Sequence, residues 1–376
     1  MRKAILLVAL LASTCSSYAQ KANYSKPHED WTQLFFQPSE RLEKAVDSIY
    51  DRMSPQQRAA QMIMTASSTA TQLGYPFGDA KKLVVSDLAA NLVFLKGTAT
   101  AFKAQAAELN ASNKERNLLP PLFACDCEPS LMSSKWSDVP GIIPASQQKN
   151  EKMVREQANK INAAMQSVGV QLNFAPVVDI AANAAVINKR SFGNDPKTLR
   201  ELATTFVEHT QDAGIGATLK HFPGHGAVKG DSHKQSVYID GALTELENFS
   251  TLLQSPQPPV AVMVGHIVVR NNKKYGTEEL PATLSPAIIK SLLRQDLGYK
   301  GIITTDALNM EAAAKIPDAD FKAVEAGVDL ILMPKNARLL NYRIVTALNQ
   351  NDALSKQIQQ SVKRIIRYKL LVNGWK

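Results

Sequence analysis

Cysteine is scarce in this chain, with three residues among 376. That count, together with the length, excludes a small scaffold held by disulfides. Glycine (18) and proline (19) are too few for a collagenous fibre, and a 45% hydrophobic content excludes an intrinsically disordered chain. Aromatic residues make up only 6% and rarely interleave with the basic ones. The excess of 43 Lys and Arg over 34 Asp and Glu therefore reads as solubility or attraction to anionic polymers, and no nucleic-acid partner is expected. No apolar run beyond the N-terminus approaches the length that spans a bilayer, so no membrane span is expected. A Gly-rich phosphate turn after the first strand, the usual mark of a doubly wound open sheet, is missing as well.

What is present begins at the N-terminus. Arg2 and Lys3 precede the apolar run Ala4 to Ala12, and small residues lead to Ser17-Tyr18-Ala19. A charged start, a short apolar stretch and a small-x-small site form a signal peptide over residues 1–19, so the mature chain is expected to be periplasmic or secreted. Cys15 raises lipidation, but Ala12-Ser13-Thr14 departs from the Leu-Ala-Gly type of residues that precede a lipidated cysteine. Export without an anchor is the expectation. Cys125 and Cys127 then remain. Two residues apart on a strand they share a face and close into a disulfide only with strain, so buried free thiols are expected.

From about residue 40 onward, short apolar runs alternate with helical patterns. The runs are Met62-Ile63-Met64, Leu92 to Leu95, Leu122 to Ala124, Val170 to Ala175, Ala217 to Lys220, Val260 to Val264, Ile302 to Thr305 and Leu330 to Met333. Between them, Val154, Ala158, Ile161, Met165 and Val168 recur at four- and three-residue steps, and Gly169 stops that helix. Leu354, Ile358, Val362 and Ile365 repeat the pattern toward Gly374. Strand–helix alternation repeated about eight times without a linker predicts an α/β chain folded as one (β/α)₈ TIM-type barrel over residues 20–376.

A barrel puts its chemistry where strands end. Asp126 ends the third run, Asn173 and Asp179 flank the fourth, and Lys220 and His221 end the fifth. His266 and Asp306 end the sixth and seventh. In Lys220-His221-Phe222-Pro223-Gly224-His225-Gly226, proline and two glycines make an irregular loop that brings backbone close to whatever binds. Asp231 and His233 point the same way if extended, and a carboxylate beside an imidazole fixes its tautomer for acid/base work. Asp306 reads either as the N-cap of a helix over Ala307 to Ala314 or as a carboxylate nucleophile. Arg190 reads as a surface cation or as a clamp on substrate.

Five stretches resemble the barrel domain of glycoside hydrolase family 3, in its β-N-acetylhexosaminidase branch. They are Asn173 to Asp179, Arg190-Ser191-Phe192-Gly193, Lys220 to Gly226, Asp231-Ser232-His233, and Thr305 to Met310, in family order; Pro281 to Ser285 also fits. The resemblance runs from about Met53 to the C-terminus and implies an exo-acting, retaining glycosidase that releases terminal β-linked N-acetylglucosamine. It implies Asp306 as the nucleophile, His233 as the acid/base and Asp231 as its partner. Lys220, His221 and Arg190 match sugar-binding positions, and Asp126 matches the aspartate that holds sugar hydroxyls. No cofactor or metal is implied. The expected partner is a carbohydrate, an amino-sugar oligosaccharide or muropeptide from peptidoglycan or chitin, acted on by a monomer without a second α/β domain.

One stretch departs from the family. Asp126-Cys127-Glu128-Pro129-Ser130-Leu131-Met132-Ser133-Ser134-Lys135 carries Ser134 where an arginine is expected, with Lys135 one position late as a candidate substrate contact. Two rivals follow: a non-catalytic sugar-binding member, and a metal-dependent barrel hydrolase using His221, His225, Asp231, His233 and His266. The latter usually begins with a His-x-His on the first strand, and none lies near Met62. A phosphorylase using the same glycosyl-enzyme stays open, because a neutral histidine tolerates an incoming phosphate.

Overall fold

The computed structural model describes residues 31–183, 186–228 and 237–375. The signal-peptide expectation and the Asp231–His233 pair therefore lie outside the described residues. Eight strands follow the eight apolar runs: β1 (Ile63–Ser67), β2 (Asn91–Phe94), β3 (Leu122–Cys125), β4 (Leu172–Asn173), β5 (Gly216–Phe222), β7 (Ala261–Val264), β9 (Ile302–Thr305) and β10 (Ile331–Leu332). They pair in parallel in the order β10-β1-β2-β3-β4-β5-β7-β9. A parallel bridge from Thr304 to Leu330 joins the two ends, so the sheet closes on itself as a TIM-type barrel. Strands such as β2, β3, β7 and β9 are buried along their whole length, as parallel strands covered on both faces must be.

The helices end where their sequences say. Glu151–Val168 starts at Asn150, whose side chain accepts the Met153 N–H at 3.0 Å, and stops at Gly169 in the left-handed region (φ 89°). Its apolar stripe of Val154, Ala158, Ile161, Met165 and Val168 is buried against the barrel. Ala353–Val372 closes the chain and buries Ile358, Val362 and Ile365 in the same way.

Two features were not anticipated. A two-stranded parallel ribbon, β6 (Val237–Asp240) with β8 (Ile267–Arg270), stands outside the barrel at the end where the strands terminate. β8 begins one residue after His266. Val228, Val237 and Ile267 pack in a small apolar cluster of their own at its base. The second feature corrects the cysteine reading: Cys125 and Cys127 are joined in a disulfide, both buried. The extended geometry behind the free-thiol expectation stops at Cys125, the last residue of β3. Beyond it the chain turns, and the two Cα atoms lie 5.3 Å apart, within disulfide reach.

Candidate active site

The carboxyl ends of β3, β4, β5, β7 and β9 bring the polar residues together. Asp126 leaves β3 half-buried, between the two bonded cysteines. Its carboxylate takes the Lys220 ammonium on one oxygen and Lys135 at 2.6 Å on the other. Burial works against the charge, but those two lysines hold the carboxyl well below the usual range. Lys220, 1% exposed at the end of β5, also reaches Glu128 at 3.1 Å. Burial disfavours its ammonium, yet Asp126 and Glu128 together keep its pKa raised.

Glu128 is the residue that sequence reasoning passed over. It is buried and receives the Arg190 guanidinium as a fork, with Nε 3.0 Å and Nη2 2.9 Å from its oxygens. Arg190 is therefore neither a solvated cation nor an open clamp; its fork is filled, and Nη2 also stands 3.4 Å from His221 Nε2. The available signal was a carboxylate two positions after Asp126 in a stretch otherwise judged aberrant. Ser134 turns away: its exposed hydroxyl donates to the Leu131 carbonyl at 2.7 Å. The place beside Asp126 is taken by Lys135 instead.

Asp179 is fully buried and accepts the His221 N–H at 3.0 Å, the His225 N–H at 2.8 Å and His221 Nδ1 at 2.7 Å. That network assigns the Nδ1–H tautomer to His221 and leaves Nε2 toward Arg190 and the mouth. The Lys220–His221 and Phe222–Pro223 peptides are cis. His225 stacks edge-on to His221 at 5.8 Å, and burial with that neighbour lowers its pKa.

Asp306 follows β9, and its backbone N–H donates to Val264 at 2.9 Å. The N-cap reading does not hold, since the helix begins only at Glu311 with Met310 as its cap. Oδ1 of Asp306 accepts the Ala307 N–H instead, at 2.8 Å. Burial penalises this carboxylate, but His221, His266 and that N–H hold it below its ordinary range. His266 supports the same turn: Nε2 lies 3.0 Å from the Ala307 carbonyl and Nδ1 2.8 Å from the Thr283 hydroxyl. Among the described residues no three His, Cys, Asp or Glu side chains gather as metal ligands.

Comparison with known proteins agrees with this geometry. Residues 57–368 match the glycosyl hydrolase family 3 N-terminal domain. The chain is 31% identical over 339 residues to β-hexosaminidase LpqI of Mycobacterium bovis (strain BCG / Pasteur 1173P2), covering 84% of this chain and 83% of that protein. It is 32% identical over 238 residues to β-hexosaminidase A of Pseudoalteromonas piscicida, where the match spans only 40% of the relative. A family 3 β-N-acetylglucosaminidase from Paenibacillus sp. str. FPU-7 superposes with a TM-score of 0.76 at 28% identity, over 85% of this chain and 63% of that one. The barrel, the strand-end site and these relatives together establish that the chain belongs to glycosyl hydrolase family 3, in its β-hexosaminidase branch.

Proposed function

We propose that the enzyme removes terminal β-linked N-acetylglucosamine from amino-sugar oligosaccharides or muropeptides by a retaining double displacement. Asp306 attacks the anomeric carbon and forms the glycosyl-enzyme. His233, oriented by Asp231, protonates the departing oxygen and then takes a proton from the incoming water. Asp126, Lys135 and His221 meet the sugar, while buried Lys220 and Arg190 support the subsite by holding the carboxylates of Asp126 and Glu128 in place. Residues 1–19 act as an export signal, the remainder is a single barrel domain, and the working unit is a monomer.

The observation that carries this reading is the Asp306 carboxylate, kept ionised at the mouth beside a cation-clamped Asp126. The test is hydrolysis of an aryl N-acetyl-β-glucosaminide followed by proton NMR, in which the β anomer must appear first. Asp306→Asn should lower turnover by about three orders of magnitude or more with the melting temperature unchanged. First appearance of the α anomer, or a variant that keeps its rate, refutes the assignment. A rate that rises with added phosphate, with sugar phosphate as product, moves the enzyme to the phosphorylase class.

A further inference from the structure

Glu245 is a buried carboxylate that the reaction above does not use. It occupies the N-cap position of the helix Leu246–Leu253, yet its side chain does not cap that helix. It turns instead to two distant segments. Oε2 accepts the Ile180 N–H at 2.7 Å, and Oε1 accepts the Ala227 N–H at 2.9 Å. Ile180 adjoins Asp179, the carboxylate that orients His221 and receives the His225 N–H. Ala227 lies two residues past His225 and two before the stretch 229–236, in which Asp231 and His233 fall. Gly226 makes this junction possible, because a Cβ there would run into the Ile180 carbonyl and the Glu245 carboxylate. Gly224 (φ +133°) likewise lies against the Glu245 side chain, where a Cβ would come within 2.7 Å of Glu245 Cβ.

The packing is unfavourable for the charge that does the joining. Burial and the neighbouring Asp179 carboxylate push the Glu245 carboxyl up to about 7, against the pull of the Ile180, Ala227 and Gly226 N–H groups. A protonated carboxyl has one oxygen committed to its own proton, so it serves two backbone donors less well than the anion does.

We propose that Glu245 is a positioning residue for proton transfer: its carboxylate ties the start of the acid/base segment at Ala227 to the Asp179–Ile180 turn. This rests on the assignment of His233 and Asp231 as the acid/base pair. Glu245 touches neither substrate nor nucleophile and acts through backbone. Its removal should therefore damage the step that needs a delivered proton and spare the step that does not.

Leaving-group chemistry separates the two. The quantity kcat/KM reports glycosyl-enzyme formation, in which a dinitrophenolate departs without a proton and an unactivated phenolate requires one. Glu245→Gln should lower kcat/KM on the phenyl N-acetyl-β-glucosaminide by about 30-fold or more, a part of the roughly 10²- to 10⁴-fold that a positioned general acid supplies, and leave the dinitrophenyl glycoside nearly unaffected. Equal loss on both substrates, or loss on neither, overturns the proposal. His233→Gly is run alongside. If it shows the leaving-group pattern and Glu245→Gln does not, Glu245 alone is withdrawn; if His233→Gly loses both substrates equally, the acid/base assignment fails and takes the proposal with it. Should Glu245→Gln not fold, Ala227→Pro removes the donor at the other end of the same bond, at an exposed side chain, and must give the same pattern.

Discussion

Lys135 offers the sharpest test of how this barrel grips a sugar. Its ammonium lies 2.6 Å from Asp126, with the two side chains 24% and 29% exposed. A hydrogen bond between charged groups contributes about 1.5–3 kcal/mol, and a quarter exposure reduces that through solvent screening, to about 1–2 kcal/mol. Lys135→Ala should therefore raise KM for an aryl N-acetyl-β-glucosaminide about 5- to 30-fold. kcat should stay close to the parent, because Lys220 continues to hold Asp126 ionised from the other side. Lys135→Arg should recover most of the loss. Ser134→Arg should gain nothing, since position 134 lies exposed and faces the Leu131 carbonyl rather than Asp126. Steady-state kinetics on the three variants decide the matter. An unchanged KM in Lys135→Ala, or a lowered one in Ser134→Arg, would show that the substrate contact lies elsewhere.

Two further outcomes follow from buried charge. Glu128→Gln removes the anion that pairs Arg190 and Lys220 inside the barrel mouth, and should destabilise the fold by about 3–5 kcal/mol in urea melts. Melts indistinguishable from the parent would mean that solvent reaches those cations. Lys369, 1% exposed and bonded to Gln61 at 2.7 Å and to the Ala90 carbonyl at 3.0 Å, has its pKa lowered by burial to about 7. Between about pH 7 and 10.5 the unfolded chain holds a proton there that the folded chain lacks, so this group makes stability rise with pH across that window. At about 1.4 kcal/mol per pH unit the rise is up to about 5 kcal/mol, and Lys369→Met should flatten that part of the profile. Parallel profiles for parent and variant would refute it.

The barrel was legible because its strands are buried on both faces. Runs such as Leu92 to Leu95 and Ile302 to Thr305 stand out against any background, and the helical stripes between them carry their own stops. The external ribbon was not legible. β6 is four residues long, half exposed, and finds its partner 30 residues away in β8. The polar residues that gather at the mouth were legible by type and position at strand ends, as Asp126, Lys220, His221 and Asp306 are. Glu128 carried the right chemistry but sat in a stretch read as a departure. Glu245 gave no signal at all, because its partners are backbone N–H groups 65 and 18 residues distant. The disulfide was misread because the strand ends one residue earlier than the argument needed.

The distribution of charge at the mouth supports the proposal that Asp306 is the carboxylate that reacts. Among the described groups there, Asp126, Glu128, Asp179 and Asp306 face three cations, Lys135, Lys220 and Arg190. All three cations are engaged by Asp126 and Glu128, in the segment that follows β3. Asp179 is consumed by the N–H groups of His221 and His225 and lies fully buried. Among the described residues Asp306 forms no ion pair with a lysine or arginine, and its stabilisation there comes from imidazoles and the Ala307 N–H. Weak partners of this kind keep a carboxylate ionised without quenching its lone pairs, as a nucleophile requires. They also leave the anionic surplus where positive charge develops on the sugar ring in the transition state, so the field of the site favours the reaction more than the bound ground state. An ammonium at Asp306 would reverse both effects. The lysines therefore belong across the mouth, four strands from β9, on the carboxylate proposed to hold the sugar.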